Sequence, residues 1–161
     1  MHNFKETKLD SNILKAIAEM GFKTPTPIQA KTIPHLMTSN LDLIATAQTG
    51  TGKTAAFGLP SIHLTDIKYK DTQTLVLCPT RELCIQIAKD IANYSKYLNG
   101  INILAVYGGS DIKTQIKSLN KGAHIVIGTP GRTKDLIKRK KLNISRIARI
   151  ILDEADEMLT M

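Results

Sequence analysis

Residues 47–54 read Ala-Gln-Thr-Gly-Thr-Gly-Lys-Thr, and the sequence on either side of them decides the fold. Upstream, Leu41-Asp-Leu-Ile-Ala-Thr46 is a short β-rich run; downstream, Lys53-Thr-Ala-Ala-Phe57 is a good helix start. Strand, Gly-rich turn and helix is the setting of a phosphate-binding loop, and the octapeptide meets the G-x-x-x-x-G-K-[ST] spacing with Ala47 at the first glycine position. Gly50 and Gly52 let backbone N–H groups approach phosphate oxygens with no Cβ in the way. The stretch Thr49, Gly50, Thr51, Gly52, Lys53 and Thr54 is therefore expected to cradle a nucleotide at a helix N-terminus. Lys53 is expected to reach the β/γ-phosphates and the Thr54 hydroxyl to ligate Mg²⁺. A merely flexible Gly/Thr turn leaves the Lys-Thr pair at the helix start without a reason.

The rest of the chain bounds the class. A chain of 161 residues, 42% apolar, has the size and composition of one globular domain. It holds no apolar run long enough to span a membrane, and Met1-His-Asn-Phe-Lys-Glu lacks a signal core, so a cytoplasmic protein without membrane contact is expected; a monomer is expected as well. Cys78 and Cys84 fit no metal spacing and are read as reduced packing residues. The net charge of +8 is unevenly placed: Arg132, Lys134, Lys138, Arg139, Lys140, Lys141, Arg146 and Arg149 face Asp135 alone between positions 131 and 149. Such a run suits a polyanionic partner, and equally a solvated helix end.

Along the chain, Asp10 caps an amphipathic helix that stops at Gly21, and Thr26-Pro27 opens another that Pro34 should bend or restart. Beyond the loop helix, short apolar runs at 74–78, 102–107, 124–128 and 147–152 alternate with helices at about 80–98, 111–120 and from 129 onward. Strands apolar on both faces and separated by helices predict a parallel sheet buried on both sides, a three-layer α/β domain. In such sheets function gathers where strands end and helices begin. The informative residues fall at those places: the phosphate loop, Pro79-Thr80-Arg81-Glu82, Gly108-Gly109, Thr129-Pro130-Gly131-Arg132 and Asp153-Glu154-Ala155-Asp156. Five strand ends are thus expected to face one crevice.

Asp153 follows the apolar run 147–152, where a phosphate-loop fold places the acid that shares Mg²⁺ with the loop hydroxyl. Glu154 can orient or deprotonate an attacking water. An acidic first helical turn would account for the charges but not for their pairing with a phosphate loop about 100 residues earlier.

These motifs together resemble the DEAD-box RNA helicases over essentially the whole chain. Asp-Glu-Ala-Asp at 153–156 is the motif that names the family, and AQTGTGKT at 47–54, PTREL at 79–83, Gly108-Gly109 and TPGR at 129–132 precede it in the family's order. Gly21-Phe-Lys-Thr-Pro-Thr-Pro-Ile-Gln29 resembles the Q motif, with the isolated aromatic upstream at Phe4. The resemblance implies a RecA-like, mostly parallel α/β domain that binds ATP and Mg²⁺ and contacts RNA, with residues 1–30 a Q-motif region and 31–161 a first RecA-like domain. It implies that Gln29 bonds the adenine edge, Phe4 packs on the ring and Thr26 supports the phosphate loop. Lys53, Asp153 and Glu154 are then catalytic, and Thr54 with Asp153 hold the metal. Pro79, Thr80, Arg81, Gly109, Thr129, Gly131 and Arg132 resemble the contacts to the RNA backbone, which carry no base information. Asp156 belongs to the family's coupling network between motifs. Cys84 departs from the usual Ala. The sequence ends at Met161, whereas the family pattern continues with a Ser-Ala-Thr strand and a second RecA-like domain bearing an arginine finger. Two other readings compete: a nucleotide-binding module without catalysis of its own, and a DNA-translocating ATPase, against which Gln29 and TPGR argue.

Overall fold

The expected parallel sheet is present with one strand fewer than the apolar runs suggest. A computed structural model describes residues 1–161, whose backbone gathers into two compact units, 1–64 with 90–99 and 65–89 with 100–161.

The second unit carries the sheet. Its strands are β1 (Thr74–Leu77), β2 (Ile103–Val106), β3 (Ile125–Gly128) and β4 (Arg149–Leu152), in the order β2-β3-β1-β4 with every pair parallel. Parallel neighbours need crossovers, and the helices α4 (Arg81–Tyr94), α5 (Ile112–Lys121) and α6 (Pro130–Lys138) supply them in alternation. Leu75, Val106, Ala123, Val126, Leu136 and Leu142 form the buried cluster, with Leu104, Ile112, Ile116, Leu119 and Ile137 packed on it. Each fully buried Val or Leu stabilises the fold by about 1.5–3 kcal/mol. Central strand β3 is buried throughout, and Ile, Val and Leu dominate all four strands.

The first unit is helical: α1 (Ser11–Glu19), α2 (Pro27–Thr38) and α3 (Lys53–His63). Asp10 caps α1, its Oδ1 accepting from the Asn12 amide at 2.8 Å, and the left-handed Gly21 ends it while Phe22 N–H donates to Ile17 O. Thr26 and Pro27 open α2 as expected, but Pro34 lies inside that helix without ending it.

Two expectations fail for one physical reason. Residues 41–46 form no strand: the run joins no ladder, Leu41 and Leu43 are exposed, and Ile44 is 95% exposed. An apolar β-rich run becomes a strand only when neighbours take its N–H and C=O groups and cover its side chains. Likewise β4 is the edge of the sheet, half-buried and exposed residues alternate along it, and Ile150 and Leu152 lie open. Burial on both faces therefore holds for β3 and not for β4.

Candidate functional site

In the first unit the phosphate-loop sequence turns through left-handed Gly50 and Gly52 into α3. The Thr51 hydroxyl donates to Gln48 O at 2.6 Å and tightens the turn. No side chain caps α3, so its first-turn N–H groups are presented as an anion site needs. Lys53 and Thr54 are the first two residues of this helix and are half-buried; Thr49 and Gly50 are exposed.

Gln29 is held firmly. It is 3% exposed, its Oε1 accepts from Thr26 N–H at 2.9 Å, and its Nε2 donates to Gly52 O at 3.1 Å. A Cβ at Gly52 would overlap this amide, so glycine is required there by the close approach as well as by its positive φ. An amide has two donors and two lone pairs, so one of each remains beyond these bonds. The Thr26 hydroxyl oxygen is buried beside Gly52 with no hydrogen-bond partner. Phe4 lies in the core, its ring centroid 6.0 Å from that of Phe22, which in turn meets Tyr94 edge-on.

In the second unit the register brings Leu77 level with Gly128 and Leu152, and Val106 level with Gly128. The four loops that leave these strands therefore line one edge of the sheet, and they carry Pro79-Thr80-Arg81, Gly108-Gly109, Thr129-Pro130-Gly131-Arg132 and Asp153-Glu154. The Thr80 hydroxyl caps α4, accepting from Leu83 N–H at 3.2 Å. Thr129 occupies the N-cap position of α6, yet its hydroxyl makes no capping bond. Arg81 is exposed, with its guanidinium 5.0 Å from the Tyr107 ring centroid and beside Gly109. Gly131 is exposed with open space about it, and Pro79 is buried behind Thr80.

Asp153 leaves β4 with its N–H bonded to Leu77 O at 2.9 Å, which fixes where the strand ends. Glu154 has a left-handed backbone (φ 53°, ψ 48°) and opens the short helix α7 (Ala155–Leu159). A non-glycine residue in that region is strained by about 1–3 kcal/mol, a conformation that Lys8 and Lys140 share. The Glu154 carboxylate, hydrogen-bonded to Glu157, pushes the Glu157 carboxyl above the ordinary range. Behind this edge Cys78 and Cys84 are buried free thiols; the Cys84 thiol bonded to it and its burial push the Cys78 thiol up, in keeping with packing residues.

One residue at this edge escapes a motif reading. Gln115 of α5 is 5% exposed; its Oε1 accepts from Arg132 Nη1 at 2.9 Å and its Nε2 donates to Tyr107 O at 3.2 Å. Arg132 Nη2 donates to Ser110 O at 3.1 Å. The guanidinium is thus aimed by the turn after β2 and by α5 together. A polar residue on the apolar stripe of an amphipathic helix was the available signal, since Gln115 lies one position before Ile116 and three after Ile112.

The residues present fit ATP and Mg²⁺ by their chemistry. An uncapped helix start after a glycine turn suits phosphate, and the Thr54 hydroxyl and Asp153 carboxylate are the hard oxygen donors that Mg²⁺ takes.

Comparison with known proteins agrees with this architecture. A family model described as DEAD/DEAH box helicase matches residues 26–161. The ATP-dependent RNA helicase CshA of Listeria monocytogenes is 53% identical over the whole chain, which spans 31% of that protein. ATP-dependent RNA helicase DeaD of Escherichia coli is 46% identical over 98% of the chain, corresponding to 25% of its own length. The chain thus spans about a third or less of the curated relatives it matches. The crystal structure of a DEAD box protein from the hyperthermophile Methanococcus jannaschii superposes with a TM-score of 0.94 at 46% identity, covering 100% of this chain and 44% of the other. With a parallel α/β sheet, the motif-bearing loops along its carboxyl edge and a family match over most of its length, the chain belongs to the DEAD/DEAH box helicase family.

Proposed function

We propose that this chain is the ATP-binding part of an ATP-dependent RNA helicase or RNA-remodelling ATPase that grips the RNA sugar-phosphate backbone. The observation that carries the reading is the single sheet edge holding Thr80, Arg81, Gly109, Thr129, Arg132, Asp153 and Glu154. Hydroxyls, glycine N–H groups and a guanidinium at helix starts suit phosphates and sugars and leave the bases unread.

In this reading the first-turn N–H groups of α3 and Lys53 bind the nucleotide phosphates. Gln29 offers its remaining donor and acceptor to the adenine edge, and Thr26 shapes the loop from behind. Phe4, implied by the resemblance to pack on the adenine ring, is buried against Phe22, which supports the role of a core aromatic instead. Thr54 and Asp153 are the residues that would hold Mg²⁺, which would supply positive charge against the nucleotide phosphates. Glu154, which follows β4 and opens α7, takes the proton from the attacking water. The activity belongs to the full-length protein, in which a second RecA-like domain supplies the rest of the RNA groove.

The test separates binding from chemistry in the full-length protein. Lys53→Ala is expected to lose ATP affinity, read with a fluorescent ATP analogue. Glu154→Gln is expected to keep that affinity and lose RNA-stimulated turnover, because an amide keeps its place but accepts no proton. Equal loss of nucleotide binding in both variants would make Glu154 a structural residue and defeat the assignment.

A further inference from the structure

The basic run after α6 has no part in the site just described. Helix α6 begins at the carboxyl edge of the sheet and ends at Lys138, so Lys138, Arg139, Lys140 and Lys141 lie on the opposite edge, where strands begin. Because β3, β1 and β4 are neighbours in that order, the segments entering them, residues 121–124, 65–73 and 139–148, lie side by side. Backbone bonds tie them together: Gln73 N–H donates to His124 O and Ala148 N–H to Gln73 O, both at 2.9 Å. Lys70 packs against Gly122, where an added Cβ would stand 2.9 Å from the Lys70 Cβ.

This edge is strongly cationic. Lys68, Lys70, Lys121, Lys138, Arg139, Lys140, Lys141 and Arg146 are all exposed on it. The carboxylates alongside are Asp66, Asp71 and Asp135, of which Asp135 is paired with Arg139 at 2.8 Å and Asp66 accepts from the Lys68 amide at 3.0 Å. Cations in the last turns of α5 and α6 suit the helix dipoles with no partner. The dipoles give no reason for Lys68, Lys70 and Arg146, which lie on loops.

The loop that carries Lys68 and Lys70 is also built rather than slack. The Gln73 side chain donates to Asp66 O at 2.8 Å and Tyr69 O at 3.2 Å, and accepts from Asp66 N–H at 2.9 Å. Three bonds from one amide fix the turn and present the Tyr69 ring, 54% exposed, with the Arg146 guanidinium 5.9 Å from its centroid. An aromatic face with an arginine beside it and lysines around it is how proteins hold single-stranded nucleic acid, by stacking and by charge on the phosphates.

We propose that this strand-entry edge is a second polyanion surface, taking the single-stranded RNA that flanks the segment gripped at the strand-exit loops, with a base on Tyr69 and phosphates on the surrounding cations. The proposal rests on RNA being the substrate. Nine residues of α6 separate the two edges by about 13 Å, so a short oligonucleotide fills only the exit loops while a longer one can reach both.

The test uses the full-length protein with a non-hydrolysable ATP analogue and fluorescent oligouridylates of about 10 and about 30 nucleotides. In the variant Lys68→Ala/Lys70→Ala/Lys140→Ala/Arg146→Ala, affinity for the long oligomer should fall at least about tenfold and that for the short one should hold. The slope of log affinity against log salt for the long oligomer should shrink by about 2–3, at roughly 0.7 for each phosphate the variant leaves unneutralised. Tyr69→Ala alone should weaken the long oligomer about fivefold or more. Unchanged affinity for the long oligomer in the fourfold variant would overturn the proposal and leave the edge to an acidic protein or to solvent. Equal loss for both lengths would overturn it too, as a global effect. Failure of the unaltered protein to bind either length would bring down the RNA reading itself, which distinguishes the two failures.

Discussion

Gln115→Leu is the most informative change at the strand-exit edge, because it keeps the size of a buried side chain and deletes its bonds. Two disappear, one from the Arg132 guanidinium at 2.9 Å and one to Tyr107 O at 3.2 Å. A bond to a charged group contributes about 1.5–3 kcal/mol and a neutral one about 0.5–1.5 kcal/mol. Arg132 and Tyr107 are only half-buried, and water can replace part of what they lose, so a net destabilisation of about 1–3 kcal/mol is expected. The functional effect follows from Arg132. With Gln115 gone its guanidinium keeps only the bond to Ser110 O and must be ordered when RNA binds. Ordering a side chain rich in rotamers costs about 0.5–1.5 kcal/mol, which raises the Kd for a short RNA about 2- to 10-fold. Urea unfolding gives the first number. Fluorescence anisotropy on the full-length protein gives the second, with ATP affinity as the control that should not move. A variant destabilised as expected, with RNA affinity intact, would show that the bridge supports the fold and does not aim Arg132.

Gly128→Ala tests the packing behind the same edge: a Cβ there would overlap the Thr133 hydroxyl and stand 3.0 Å from Val106 Cγ2, so a loss of about 1–3 kcal/mol is expected, partly restored by adding Thr133→Ala. No destabilisation on urea unfolding would mean that α6 shifts freely on β3. Burial and then the Asp90 charge push the Tyr94 phenol above its ordinary value of about 10. A raised folded value means that stability is full below the unfolded pKa and falls as pH climbs beyond it. Urea midpoints between about pH 9 and pH 11 should therefore drop more steeply for the unaltered protein than for Tyr94→Phe, and parallel slopes would refute the assignment.

The elements that the sequence made legible are those whose signals are local. Asp10, Thr26-Pro27 and Thr80 open helices where capping chemistry places them, and the runs at 74–78, 102–107, 124–128 and 147–152 became β1 to β4 within a residue or two at each end. Residues 41–46 carry the same kind of signal and form no strand, because a ladder is a property of neighbours that a run of Leu and Ile cannot specify alone. The exposure of Ile150 and Leu152 has the same origin: alternation along β4 reflects an edge position, which composition does not encode.

The site divides along a similar line. Residues that carry the family's motifs sit in short stretches, since a turn or a helix start imposes spacing, and so Thr80, Gly109, Arg132 and Asp153 could be read and the fold brought their loops to one edge. Residues that aim them act through space. Gln115 meets Arg132 from 17 positions away and Gln29 meets Gly52 from 23, so neither pairing has a local pattern to betray it. The Gln29 amide was expected to face a base, and it is spent in part on Thr26 and Gly52, which binds the start of α2 to the phosphate loop. That side chain spends an acceptor on Thr26 and a donor on Gly52 and keeps one of each, so if a base takes the remaining pair, as proposed, moving the amide toward it would strain both bonds at once. Base reading and loop geometry would then be one property of a single buried amide, and neither could be altered there without the other.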